Sequence, residues 1–160
     1  MLDAVDIRLV QLLLQDGRRT NAELAERVAL SQSACHRRIK RLEDIGAIAG
    51  YAARIDRRAI GLNVMAFVFV KLESHSEKLL AAFAQGVRAI DEVVSCHAIS
   101  GHADYILVVV ARDMDAFAAV ALEKIVRLPA VKDSSTNFAL ATLKDETRLP
   151  LPDPRARHYS

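Results

Sequence analysis

The segment Leu30-Ser31-Gln32-Ser33-Ala34-Cys35-His36-Arg37-Arg38-Ile39-Lys40-Arg41-Leu42 reads as a short helix with two unlike sides. Ser31 is placed to cap it, since its hydroxyl can accept from an orphan backbone N–H one turn in. Cys35, Ile39 and Leu42 follow at i, i+4 and i+7 and share one face. The other positions carry Gln32, Ser33, His36, Arg37, Lys40 and Arg41, with Arg38 on the flank and no acid before Glu43. Gly46 supplies the stop, being free to take positive φ. A helix that is apolar beneath and cationic above suits the major groove of DNA. The plainer alternative is a solvated amphipathic helix, and the neighbouring sequence decides between them.

Upstream, Leu2 to Gln15 predicts a helix whose Val5, Leu9, Leu12 and Leu13 form a stripe, with Asp3 and Asp6 at its dipole-positive end. Asp16-Gly17 ends it. Thr20-x-x-Glu23 is a capping box for a second helix with Leu24, Ala25 and Val28 turned inward, and Ala29-Leu30 makes the turn into the third. Two short helices around a tight turn, the second one basic, make a helix-turn-helix. Beyond Gly46, Ile48 and the run Tyr51 to Ile55 around Gly50 predict a small extended wing and a connector. Arg54, Arg57 and Arg58 there either approach phosphates or form a solvated linker.

A chain of 160 residues holds one domain or two small ones, and 52% hydrophobic with 26% charged residues is a globular composition. Net charge is only +2, so affinity for nucleic acid has to come from local charge. The charge is indeed uneven: Ser31 to Arg58 carries Arg37, Arg38, Lys40, Arg41, Arg54, Arg57 and Arg58 against Glu43, Asp44 and Asp56. Cys35 and Cys96 lie far apart in apolar patterns, which predicts neither a disulfide framework nor a metal site. Met1-Leu2-Asp3 does not begin a signal peptide, and runs such as Ile106 to Ala111 are too short to span a bilayer. The expectation is a soluble cytoplasmic protein.

The pattern changes around Gly61-Leu62-Asn63. Val64 to Leu72 predicts a central strand. Ser76 then caps a helix with Leu80, Phe83, Ala84 and Val87 on one face. Val93 to Ser100 is a second strand, Gly101-His102-Ala103-Asp104 a turn, and Tyr105 to Ala111 a third strand. Asp113 or Asp115 opens a helix with Phe117, Ala121, Ile125 and Leu128 inside, stopped before Pro129, and Val131 to Leu143 supplies the last strand. This order gives an antiparallel four-stranded sheet with both helices on one face. The other face is then bare apolar surface, which points to self-association. From Lys144 the chain holds Pro150, Pro152 and Pro154, a tail expected to be mobile at its end. The predicted division is residues 1–50 for the winged helix-turn-helix, 51–62 for a connector, 63–144 for a ferredoxin-like α+β domain (βαββαβ), and 145–160 for the tail.

These residues resemble the Lrp/AsnC family of transcriptional regulators over nearly the whole chain. The resemblance rests on Leu2-Asp3-x-x-Asp6-x-x-Leu9, Asp16-Gly17-Arg18, Glu23-Leu24-Ala25, Leu30-Ser31, Arg38, Arg41-Leu42-Glu43, Gly46-x-Ile48 and Gly50-Tyr51. In the C-terminal half it rests on Gly101-x-x-Asp104-Tyr105 and Thr136. It implies a DNA-binding domain joined to an amino-acid-sensing α/β sandwich, in homodimers that assemble to tetramers or octamers. It also implies a small effector at the Gly101 loop, between adjacent dimers. Two departures stand out: His102 occupies a position that is often acidic or an amide in the family, and Ala130 replaces a common glycine after Pro129.

The residues expected to meet double-stranded DNA are Ser31, Gln32, Ser33, His36, Arg37, Arg38, Lys40 and Arg41. Of these, His36 and Arg37 reach base edges, and Ser31, Ser33, Arg38, Lys40 and Arg41 serve phosphates. Arg38, on the flank, has an intradomain salt bridge as its alternative role. The effector contacts are expected at Gly101, His102, Ala103 and Asp104, with Thr136 nearby. Backbone N–H groups there suit a carboxylate and Asp104 an ammonium, though the same four residues also make a plain hairpin turn. An enzymatic alternative is a sirohaem-decarboxylase-like protein, which is similar in layout and carries a histidine where His102 lies. Those enzymes tend to lose the basic residues of the third helix, which this chain keeps. No catalytic residue, cofactor or metal is expected.

Overall fold

A computed structural model describes residues 2–144 and 149–151. The chain divides into two compact units. One is built from residues up to Arg54 together with described residues from Lys144 onward, the other from Ile55 to Leu143.

In the first unit α1 spans Ala4–Gln15, α2 Asn21–Arg27 and α3 Gln32–Asp44. Helix α1 starts two residues later than the apolar stripe suggested, because Asp3 is its N-cap. The Asp3 carboxylate accepts from the Asp6 N–H at 2.8 Å, and Asp6 accepts in return from the Asp3 N–H at 3.1 Å. Helix α2 opens on the expected box, with Thr20 and Glu23 capping each other. The turn into α3 places Ala29 at φ 54°, a left-handed conformation that costs an alanine about 1–2 kcal/mol. Leu9, Leu12, Leu24, Ala25, Cys35 and Leu42 close the core. Each buried leucine contributes about 2 kcal/mol of transfer free energy. Gly46, at φ 73°, ends α3 as expected. The predicted wing is not a paired element: no strand forms between residues 45 and 63. Ile48 instead folds back so that its N–H donates to the Leu42 carbonyl at 3.1 Å.

The second unit is one antiparallel sheet in the order β2-β3-β1-β4, made of β1 (Val64–Leu72), β2 (Val93–Ala98), β3 (Tyr105–Ala111) and β4 (Val131–Phe138). Strands β2 and β4 are shorter than their apolar runs. Alternate residues Ala66, Val68, Val70 and Leu72 of β1 are buried with Leu107 and Val109 of β3. They pack beneath α4 (Glu77–Arg88) through Phe83 and Val87, and beneath α5 (Met114–Ala119) through Phe117. Helix α5 is capped by Asp113 and continues as one π-helical segment, Val120–Ile125, which turns Val120 and Ile125 into the core. Ala130, at φ 63°, takes the left-handed turn before β4. The opposite sheet face carries Met65, Phe67, Phe69, Ile106 and Val108, all half-buried, and no element of this unit covers it. The expected mobile end of the tail falls on residues 152–160, outside the described residues.

Candidate nucleic-acid interface and ligand loop

Helix α3 is anchored by a narrow stripe. Cys35 and Leu42 are fully buried, Ile39 is partly so, and burial pushes the Cys35 thiol pKa up, as suits an inert core residue. Ser31 does cap the helix: its Oγ accepts from the Ala34 N–H at 3.3 Å and lies 3.2 Å from Ser33 Oγ. At 100° per residue Ser33, Arg37 and Lys40 lie opposite Cys35 and Leu42, His36 flanks them, and Gln32 joins the same arc at the helix start, about 60° from Cys35; all five are exposed.

Arg38 and Arg41 lie to one side of that arc and turn back toward the start of α1. Arg38 Nη1 donates to Asp3 Oδ2 at 2.6 Å and to Asp6 Oδ1 at 2.8 Å. Arg41 Nη1 donates to Asp6 Oδ2 at 2.9 Å. Asp6 is fully buried. Burial alone would raise its pKa, but the Asp3 N–H and the two guanidiniums outweigh it and hold the carboxyl below its usual value. The Asp6 N–H, followed by Arg38, does the same for Asp3. The alternative role of Arg38 as an internal ion-pair partner is thus present, and Arg41 shares it.

On the other side of α3, His36, Ile39, Lys40 and Glu43 edge a groove of about 260 Å³ that reaches Arg19, Asn21 and Tyr51. The Tyr51 hydroxyl donates to Glu43 at 2.9 Å, and burial with that bond raises its pKa to about 12. Asn21 Nδ2 donates to the Gln32 carbonyl at 2.8 Å, tying the start of α2 to the start of α3. A cationic helix is thereby held proud of its domain with hydrogen-bonding side chains outward, which is what groove reading requires.

In the second unit, Gly101 (φ 125°) and His102 are exposed and Ala103 is buried. Their backbone N–H groups have no partner among the described residues. The Asp104 N–H donates to the Val70 carbonyl, and Asp104 Oδ2 accepts from the Leu72 N–H at 2.7 Å. Asp104 Oδ1 lies 3.1 Å from His75 Nε2. The Leu72 N–H first, then His75, holds the Asp104 carboxyl below its usual pKa. The Asp104 carboxylate thus already has two protein contacts, which limits it as an acceptor for a ligand ammonium. The His102 ring lies on Phe69 with centroids 5.6 Å apart, on the open sheet face. Thr136 pairs with Val68 and so shares the helix-covered face; Ser135 is the β4 residue opposite Phe69.

Two family models match: the AsnC-type helix-turn-helix domain over residues 2–43, and the Lrp/AsnC ligand binding domain over residues 65–149. The chain belongs to the Lrp/AsnC family of transcriptional regulators. It is 39% identical to the proline dehydrogenase transcriptional activator of Rhizobium radiobacter over 90% of this chain and 92% of that protein. It is 34% identical to the leucine-responsive regulatory protein of Escherichia coli over 92% and 90%. Among solved structures, a transcriptional regulator of Neisseria meningitidis in complex with L-Met superposes with a TM-score of 0.88 at 40% identity, covering 94% of this chain and 97% of that one. An AsnC family regulator from Agrobacterium tumefaciens gives 0.87 at 34% identity, over 93% and 97%.

For this member of the Lrp/AsnC family, the structure brings Gln32, Ser33, His36, Arg37 and Lys40 onto one exposed face and sends Arg38 and Arg41 to carboxylates. It keeps His102 beside Asp104 and turns Thr136 to the other side of the sheet. The contacts of Asp6 and His75, and the place of Ser135 opposite Phe69, carry no signal in the sequence. The spacing of Asp3 and Asp6 signals only a helix start, and contacts across about thirty residues need the strand register.

Proposed function

We propose that this regulator binds double-stranded DNA as a homodimer that assembles further to tetramers or octamers. Helix α3 enters the major groove. His36 and Arg37 meet base edges, Gln32 and Ser33 add hydrogen bonds, and Lys40 with the Ser31 end of the helix faces phosphates. The exposed cationic arc of α3, seated on a dry stripe, carries this reading. It also favours a regulator in the cytoplasm over a sirohaem-decarboxylase-like enzyme, for which a basic α3 has no use. The open sheet face of the second unit supports the dimer, since its half-buried Met65, Phe67, Ile106 and Val108 are a ready contact surface.

The effector is an amino acid or a related metabolite. Support comes from the L-Met complex of one relative and the leucine-responsive character named in another. The loop N–H groups of Gly101 to Ala103 suit its carboxylate, and the His102 and Phe69 rings, tilted 35° to each other, offer an aromatic wall for its side chain. Selection of duplexes from a random pool by the full chain, with and without each common amino acid, tests both halves. Enriched two-half-site sequences and a change in affinity with at least one amino acid are expected. A pool left unenriched contradicts the DNA reading, and binding that no amino acid alters contradicts the effector reading.

A further inference from the structure

Asp6 is the only buried charged side chain among the described residues, and it lies too deep to touch DNA. Its surroundings nonetheless belong to the recognition helix: Oδ1 takes Arg38 and Oδ2 takes Arg41, one turn apart on α3. Resting on the DNA reading above, we propose that Asp6 is a positioning residue for sequence recognition. It fixes the roll of α3 about its own axis, and with it the register in which His36, Arg37 and Lys40 meet the bases.

Besides the partly buried Ile39 and the Asn21–Gln32 and Tyr51–Glu43 bonds near its two ends, little else holds that roll. Only Cys35 and Leu42 of the 13 residues of α3 are fully buried, and one of those is small. Apolar contact is non-directional, so a narrow stripe tolerates rotation. Charge-assisted hydrogen bonds are directional, and two of them converging from successive turns onto one carboxylate remove that freedom. The anchor is itself rigid, because Asp6 Oδ2 also accepts from the Asp3 N–H in the box that starts α1. Asp3 adds a second bond to Arg38. The same pairing has an electrostatic effect. Two arginines of α3 are balanced by two acids of α1, so they add little to sequence-blind attraction for phosphate, and the five residues of the outer arc dominate what the helix reads.

The test uses the full chain carrying Asp6→Asn, nearly isosteric but uncharged. Affinity is measured by fluorescence anisotropy for a duplex that the wild type selects from a random pool and for a mixed-sequence duplex of equal length, across a salt series. The preferred-to-mixed affinity ratio is expected to fall at least tenfold. Affinity for the mixed duplex is expected to hold or rise, its salt dependence steepening by about one unit as the arginines are released to phosphates. A general folding defect would instead weaken both duplexes by the same factor. A ratio within twofold of wild type, or equal loss on both duplexes, overturns the proposal. If Asp6→Asn lacks the wild-type far-ultraviolet circular dichroism, Asp6→Asn with Arg38→Gln, which leaves fewer uncompensated charges, gives the same readout under the same criteria. Wild type that selects no sequence at all contradicts the DNA reading rather than this one.

Discussion

Arg37 and Lys40 are both cations on the exposed arc of α3, yet they are expected to fail differently. Arg37→Ala removes a group able to bond two acceptors of one base, so it is expected to cost about 1–3 kcal/mol at the preferred site and to relax specificity at one position. Lys40→Ala is expected to weaken all sequences alike and to lower the salt slope by about one. Titrations of two duplexes at several salt concentrations separate the two outcomes. Asp6 makes a stability prediction of its own. Removing one side of a fully buried ion pair costs about 3–5 kcal/mol, but solvent reaches the arginines here, so about 2 kcal/mol is expected for Asp6→Ala in urea unfolding of the first unit. The pKa of Asp6 is lower in the folded chain than in the unfolded one. Its stabilisation is therefore complete above the ordinary carboxylate range and is lost as pH falls through the folded value. The wild type should lose this increment in acid, below about pH 4, while Asp6→Asn shows less of that loss.

The helices were legible because their signals are local. Thr20, Ser31 and Asp113 are caps readable one turn at a time, whereas Asp3 reads as a helix charge and is in fact the cap, and the stripes in α3 and α4 survive inspection of a dozen residues. The absence of a wing was not legible, because it rests on the Ile48 backbone N–H turning back to the Leu42 carbonyl and the Tyr51 side chain reaching Glu43. The Val131–Leu143 run overstated β4, whose pairing ends near Phe138. The Gly101–Asp104 loop is legible from its residues as a turn and as an effector site only through the family resemblance, while the His75–Asp104 and Phe69–His102 contacts depend on which strands become neighbours. Ala29 is exposed and left-handed, so Ala29→Gly is expected to raise the stability of the first unit by a few tenths to about 1 kcal/mol, net of the entropy glycine loses on folding. An unchanged or lower urea midpoint would contradict that. Asp104→Ala frees the Leu72 N–H and His75, and is expected to abolish any heat of amino-acid binding in calorimetry while leaving DNA affinity intact. Retained heat would make Asp104 dispensable to the loop.

At the scale of the molecule, two units with separate cores divide the work, one carrying the basic helix and the other an open sheet. Hydrophobic residues on that sheet are costly to leave in water, and a charge placed among them inside an interface is costlier still. The full chain is expected to sediment as a dimer or larger at micromolar concentration, and Val108→Asp to shift it toward monomer by at least a hundredfold in dissociation constant. An unshifted Val108→Asp would place the interface elsewhere.

If the exposed arc of α3 reads DNA, Arg37 and Lys40 carry much of the affinity of the full chain for its own selected duplex, which is read by comparing wild type with Arg37→Ala combined with Lys40→Ala. Preserved folding by circular dichroism, with at least a hundredfold loss of affinity and about a fivefold or greater loss of the preference over a mixed-sequence duplex, is the predicted result. Affinity and preference that survive the double substitution would contradict it.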